Sequence, residues 1–138
     1  MRLIVDQPQI VATFVGAGLG LTFVPPYTAL GWVMVRPNGE WRLAAGAVFN
    51  DYNGSNVEIS IYGPQALTRQ SLKEALRYVF LQLRCVRLTA KTKRDNSRMR
   101  KLLPRLGFEL EGTLKHYFGP LQSARVYRLD AAAAQKWM

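Results

Sequence analysis

The sequence predicts an α+β fold, a mixed and mostly antiparallel sheet flanked by helices, and three observations carry that reading. Asn38-Gly39 sits between two apolar runs and suits the left-handed backbone of a hairpin turn. A strand, an amphipathic helix and a second strand follow one another between Val57 and Lys91, the order of a βαβ unit with parallel strands. A further pair of strand-like runs closes the chain around Gly119-Pro120. With 138 residues, 49% of them apolar, the chain has material for one substantial core, so residues 1–138 read as a single domain.

Taken in order, Asp6 and Gln9 have the spacing of a capping box. Ile10, Val11, Phe14 and Val15 then recur on one helical face, which predicts a helix over residues 7–17. Gly16, Gly18, Gly20 and Pro25-Pro26 break the pattern. Residues 29–35 and 41–49 make the first hairpin, and the turn-rich stretch 50–54 leads into Val57, Ile59 and Ile61. These alternate with Glu58, Ser60 and Tyr62 as a half-buried strand does, and Gly63-Pro64 stops the run. Leu72, Ala75, Leu76, Val79, Phe80 and Leu83 fit the helical template, with Arg69, Gln70, Lys73, Glu74 and Arg77 opposite. Val86, Leu88 and Ala90 alternate with Arg87, Thr89 and Lys91 as the next strand. Asp95 or Asn96 caps a helix through Leu102, Leu103 and Leu106, ended by Gly107, with Pro104 expected to kink its last turn. Residues 108–117 and 124–129 form the closing hairpin, and Asp130 caps an alanine-rich tail.

Composition removes several function classes. One cysteine, Cys85, and one histidine, His116, allow no internal disulfide and no multi-cysteine or paired-histidine metal site, so no metal is expected and a reducing, cytoplasmic setting is. The apolar run 10–24 falls short of the ~20 residues of a membrane span and is interrupted by glycine. Only Arg2 is basic ahead of it, so neither insertion nor a signal peptide is expected. A formal charge of +10 asks for an anionic partner, which a phosphorylated coenzyme, nucleic acid, an acidic protein or an acidic membrane surface would all satisfy.

Three pieces of sequence narrow the choice. Val57-Glu58-Ile59-Ser60-Ile61 feeds the helix carrying Glu74-Ala75-Leu76. Val86-Arg87-Leu88-Thr89-Ala90 precedes Asn96-Ser97. Leu102-Leu103 leads into Leu106-Gly107-Phe108-Glu109-Leu110-Glu111-Gly112. In this order and spacing, from Val57 to Leu129, the chain resembles the GNAT N-acetyltransferase superfamily. The particular likeness is to the branch acting on ribosomal proteins and other protein N-termini, and to small phage-encoded acetyltransferases.

The resemblance implies a GNAT fold whose two parallel strands splay, with acetyl-coenzyme A as cofactor and an amine as acceptor. It implies that the backbone of Ile59, Ser60 and Ile61 holds the pantetheine arm, with Asn96 as a side-chain partner of its amides, beside Ser97 and Arg100. Where the family has a glycine, variable, glycine turn around the pyrophosphate, this chain has Thr68-Arg69-Gln70. Either the backbone then approaches the phosphates differently, or Thr68, Arg69 and Ser71 supply side-chain hydrogen bonds in place of bare amides. Thr68 and Asn96 also read as plain helix caps.

Amine acetylation needs a base, an oxyanion partner and a proton for the departing sulfur. Glu58 is the candidate base, against the reading of a solvated strand glutamate. The amides of its strand would serve the oxyanion. Many relatives place an acid tyrosine four residues before the glycine of Gly107-Phe108, and here that position is Leu103. Tyr117, Tyr127, or Ser97 through a water would substitute. Cys85 reads as a buried structural thiol.

Arg84, Arg87, Lys91, Lys93, Arg94, Arg98, Arg100, Lys101 and Arg105 crowd the second strand and the following helix. They suit coenzyme phosphates, with Arg98, Arg100 and Lys101 foremost. The rival reading is a nucleic-acid-binding module stacking bases on Tyr62 or Tyr78, which is the less favoured partner. A non-catalytic coenzyme-binding or interaction protein of the same fold is another alternative. Residues 16–28 and Asp51-Tyr52 are expected to select the acceptor: a protein N-terminus, a lysine or a small amine, with the basic surface disfavouring a polycation. An exposed strand of the closing hairpin could pair with a second copy to make a homodimer.

Overall fold

The computed structural model describes residues 1–63 and 66–138. Its strands are β1 (Arg2–Ile4), β2 (Tyr27–Val35), β3 (Trp41–Asn50), β4 (Asn56–Tyr62), β5 (Arg87–Lys93), β6 (Glu109–Leu114) and β7 (Ala124–Asp130). The helices are α1 (Pro8–Leu19), α2 (Arg69–Arg77), α3 (Ser97–Leu106) and α4 (Ala131–Ala134). One sheet runs β1-β2-β3-β4-β5-β7-β6, antiparallel between neighbours except for the parallel β4–β5 pair. This is the expected α+β architecture, with the two hairpins and the βαβ unit where the sequence places them.

The sheet separates two apolar layers. On one face Val11 and Val15 of α1 pack against Val33 and Val48. The close approach of α1 requires small residues beneath it: a Cβ at Gly46 would lie 2.8 Å from Val15 Cγ2. The larger layer gathers Trp32, Phe49, Leu76, Leu88 and Leu129 with residues of α2, α3 and α4. These side chains come from the alternate positions of each strand, as period-2 burial demands. Cys85 is 3% exposed within this layer, where burial pushes its thiol above the ordinary range.

Local details depart from the sequence reading for identifiable reasons. The Asp6–Gln9 capping box does not form: the helix starts at Pro8, whose fixed φ suits a first turn, and Gln7 becomes an N-cap without a side-chain bond. The apolar stripe read as one helix through Leu83 is α-helical only to Arg77. A π-helical turn, Tyr78–Gln82, follows, with Leu83 N–H donating to Tyr78 O at 2.9 Å. The three-residue strand β1, too short to show alternation, was not anticipated. Asp130 begins α4 without capping it, because its carboxylate is held by Arg128 Nε at 3.1 Å. β4 ends at Tyr62; Pro64, half of the expected stop signal, lies outside the described residues. Among the described residues no helix is long and apolar enough to cross a membrane, and no group of three or more His, Cys, Asp or Glu side chains is arranged to hold a metal.

Candidate active site

The parallel pair β4–β5 is joined only over its first half. The register runs Asn56↔Arg87, Val57↔Leu88, Glu58↔Thr89 and Ile59↔Ala90 and stops there. Beyond that point β4 stays with β3 as far as Tyr62, and β5 stays with β7 as far as Lys93. Each strand is therefore held by its outer neighbour while the two part from one another. Ser60, Ile61 and Tyr62 face Lys91, Thr92 and Lys93 across an opening that no strand fills. The edge of β4 turned toward this gap keeps backbone donors and acceptors that the sheet leaves unused, a site for an extended, amide-bearing ligand.

A cleft of about 630 Å³ occupies the wedge. Glu58, Ile59, Ser60 and Ile61 line one wall, Ala90, Lys91, Thr92 and Lys93 the other. Asn96, Met99 and Leu103 bring α3 to it, while Gly18, Leu19, Leu21 and Phe23 carry the end of α1 and the following loop across the opposite side. Gly18 is where the aromatic ring of Tyr62 presses against the helix, leaving no room for a Cβ.

At the apex, around the last β4–β5 pair, three polar groups meet, with Glu58 one residue before that pair and Lys91 one residue after it. Strand alternation puts Glu58 and Lys91 on the same face of the sheet. Lys91 Nζ donates to Glu58 Oε2 at 3.0 Å and to the Tyr117 hydroxyl oxygen at 3.1 Å. Its ammonium also lies 4.8 Å from the Tyr117 ring centroid. The Glu58 and Lys91 side chains retain 13% and 18% of their surface, so the pair is shielded but reachable from the cleft. Burial pushes the Glu58 carboxyl above the ordinary range, and the facing Asp51 carboxylate adds to that; the Lys91 ammonium opposes both without cancelling them. Burial alone would lower Lys91, but its bonds to Tyr117 and Glu58 outweigh that and hold it charged. A buried carboxylate that takes up a proton more readily than usual suits a general base.

The remaining expected site residues fall into groups. Asn96 lines the cleft and caps α3, its Oδ1 accepting from Met99 N–H at 3.2 Å; its amide nitrogen has no part in that cap. Thr68 caps α2, accepting from Ser71 N–H at 3.1 Å. Ser71 is fully buried, and its hydroxyl donates to Ala66 O at 2.8 Å, which withdraws it from any ligand. Arg69 and Gln70 are exposed at the start of α2, whose first amides have no acceptor within the helix. Ser97 and Arg100 are exposed on α3 outside the cleft lining, and Arg100 Nη1 donates to Arg94 O at 2.9 Å. Tyr127, by contrast, is 4% exposed in the core and does not reach the cleft, since its position on β7 points it at the layer of Leu88 and Leu129. Of the two aromatic rings of the nucleic-acid reading, Tyr62 packs edge-on to Phe14 and stays exposed, and Tyr78 shares a 2.6 Å hydrogen bond with Thr28.

Lys91 is the site residue that the sequence reading missed, having counted it only among the basic residues of its strand. No signal in the sequence alone marks it: its place on the face of Glu58, just beyond the divergence, follows from the Glu58↔Thr89 register two residues earlier.

No protein-family model matches the sequence, and no curated protein matches it. Solved structures do. The spermidine/spermine N-acetyltransferase SpeG of Vibrio cholerae, in its complex with manganese ions, superposes with a TM-score of 0.74 at 14% identity, over 98% of this chain and 95% of that one. Glutamate-to-glutamine mutant forms of SpeG give a TM-score of 0.73 at 14% identity, over 98% and 97%. The chain has the GNAT fold. A chimera of Vibrio cholerae SpeG and hSSAT matches the same way, with a TM-score of 0.72 at 14% identity over 98% and 99% of the two chains. Near end-to-end coverage at 14% identity means that the likeness is one of fold.

Proposed function

We propose that this chain, acting as one domain, is an acetyl-coenzyme A-dependent N-acetyltransferase that passes an acetyl group directly to a primary amine in a ternary complex. The observation that carries the reading is the loss of β4–β5 pairing after Ile59↔Ala90, with a cleft of about 630 Å³ in the wedge and a proton-accepting group at its apex. The amine acceptors of the GNAT structures it resembles, spermidine and spermine by name, support the reaction class.

The residues present fit the coenzyme. The β5-facing edge of β4 offers backbone groups along Ser60–Tyr62 to the amides of the pantetheine arm, and the Asn96 amide nitrogen is left to donate to a pantetheine carbonyl. The first amides of α2, with the Arg69 side chain, would take the pyrophosphate, Thr68 and Ser71 being occupied with one another. The coenzyme supplies the acetyl thioester. Glu58 takes a proton from the incoming ammonium so that the nitrogen lone pair is free. Tyr117, whose hydroxyl oxygen already accepts from Lys91, would give its proton to the sulfur as the carbon–sulfur bond breaks and recover one from the nitrogen, which carries a surplus proton once the carbon–nitrogen bond has formed. A free β4 amide at the apex donates to the carbonyl oxygen as negative charge develops there.

The test is a thiol-release assay over a panel of primary amines, run beside calorimetry with acetyl-coenzyme A. Micromolar binding together with thiol release that requires an amine supports the reading. Binding without turnover on any amine would reduce the protein to a coenzyme-binding relative, and no binding would remove the proposal.

A further inference from the structure

A row of charges runs past the cleft on the sheet face that carries Glu58 and Lys91. Glu58 and Lys91 satisfy one another at 3.0 Å. On one side of that pair, Asp51 faces Glu58 from the turn after β3, and among the described residues no cation lies within ion-pair distance of it. On the other side stands Lys93, two positions along β5 and on the same face as Lys91, which places it about 7 Å further up the strand. Lys93 lines the cleft, its Nζ lies 5.9 Å from the Phe118 ring centroid, and among the described residues no carboxylate pairs with it. Along this face stand, in order, a carboxylate lacking a cation, which neighbours Glu58 outside the cleft lining, then the closed ion pair and a cation lacking a carboxylate, both within the lining.

We propose that the acceptor is zwitterionic: a primary amine with a carboxylate or phosphate a few bonds away, its ammonium entering beside Asp51 and Glu58 and its anion held by Lys93. This rests on the acetyltransferase reading above and specifies its substrate class. A linear polyamine fits the arrangement poorly. Its second and third ammonium groups would meet Lys91 and Lys93 at close range, on a chain whose formal charge is already +10. A peptide whose first or second residue is acidic fits, as does a free acidic amino acid, because both put an anion within side-chain reach of the reacting nitrogen.

The experiment compares initial rates on four acceptors of equal concentration: a short peptide with glutamate at its first two positions, the same peptide with serine there, free glutamate, and spermidine. Product is counted by mass spectrometry. The glutamate peptide or free glutamate should lead, which separates the two sources of this chemistry, and spermidine should trail. Lys93→Gln should raise KM for the anionic acceptor about fivefold, the loss expected for one partly solvated ion pair. Because Lys93 lines the same cleft, any general effect on kcat or on acetyl-coenzyme A should be shared by both peptides, so the reading is the ratio of their KM values, which should shift by that factor. Equal effects on serine and glutamate peptides or a leading rate on spermidine would overturn the proposal while leaving acetyl transfer intact. Failure to acetylate any amine would overturn both.

Discussion

Replacing Glu58 with glutamine changes the proton chemistry of the site and almost nothing of its shape. The amide keeps the side-chain volume and can still accept from Lys91, whose ammonium sits 3.0 Å away, so the wedge and the β3–β4–β5 register should persist. What is lost is a proton acceptor at the apex. A positioned general base contributes on the order of 10²–10⁴ in rate, or about 3–5 kcal/mol of barrier. Glu58→Gln should therefore lower kcat by that factor in the thiol-release assay, with acetyl-coenzyme A affinity by calorimetry held. The pH dependence carries a second signature. The working form is the carboxylate, and burial together with Asp51 raises its pKa above the usual glutamate range. In the native enzyme kcat/KM should fall as pH drops through a midpoint above 4.5, the ordinary value for such a group. Lys91→Met removes the group that holds Glu58 down, so the same acidic limb should move to higher pH. A Glu58→Gln enzyme within about twofold of native kcat, with the acidic limb unmoved, would refute the assignment of the base.

Other perturbations read out different links of the same account. Asn96→Ala removes the α3 cap and should cost about 1 kcal/mol in urea denaturation, besides weakening acetyl-coenzyme A; Asn96→Ser, which keeps a capping oxygen, should restore the stability and leave the affinity low. Gly18→Ala drives a methyl into the Tyr62 ring and should cost about 1–3 kcal/mol while raising KM for the acceptor, since that end of α1 walls the cleft; unchanged stability and KM would contradict the packing described. Leu129→Ala, at a position with no exposed surface, should destabilise by about 2–5 kcal/mol by urea unfolding. Arg87 first and then Arg128 hold the Glu111 carboxyl below its ordinary 4.5. A depressed acid stabilises above its unfolded pKa, and that stabilisation disappears as pH falls through the folded value. Glu111→Gln should therefore melt below the native protein at pH 7, and the gap should close in acid and shrink in salt.

Much of the framework was legible because local rules and tertiary packing agree. The Asn38-Gly39 hairpin turn forms, with the left-handed backbone taken by Gly39 at φ +89° and not by Asn38, and Val57 and Leu88 are buried on the paired strands as their alternation requires. Gly107 ends α3 in the left-handed conformation expected of it. Where the reading failed, the deciding forces were not local. A π-helical turn and a stripe of ordinary α-helix share nearly the same apolar spacing, so Tyr78–Gln82 could not be told from its neighbours. Tyr117 and Tyr127 look equivalent on a hairpin in sequence, yet one bonds Lys91 at the cleft and the other is sealed into the core. Ser71 resembles a free helix-start hydroxyl until the loop carbonyl of Ala66 is folded onto it. The catalytic-face partner of Glu58 was hidden for the same reason: Lys91 acquires its role only when β5 lies parallel to β4 in one particular register.

The wedge itself can be measured by amide hydrogen exchange with and without acetyl-coenzyme A. If the pantetheine arm lies along the unpaired edge of β4, the amides of Ser60–Tyr62 that face β5 should slow markedly on coenzyme addition, while those of Asn56–Ile59, already paired to β5, should not change. Tight coenzyme binding that leaves Ser60–Tyr62 exchanging as before, with protection appearing elsewhere, would contradict the account.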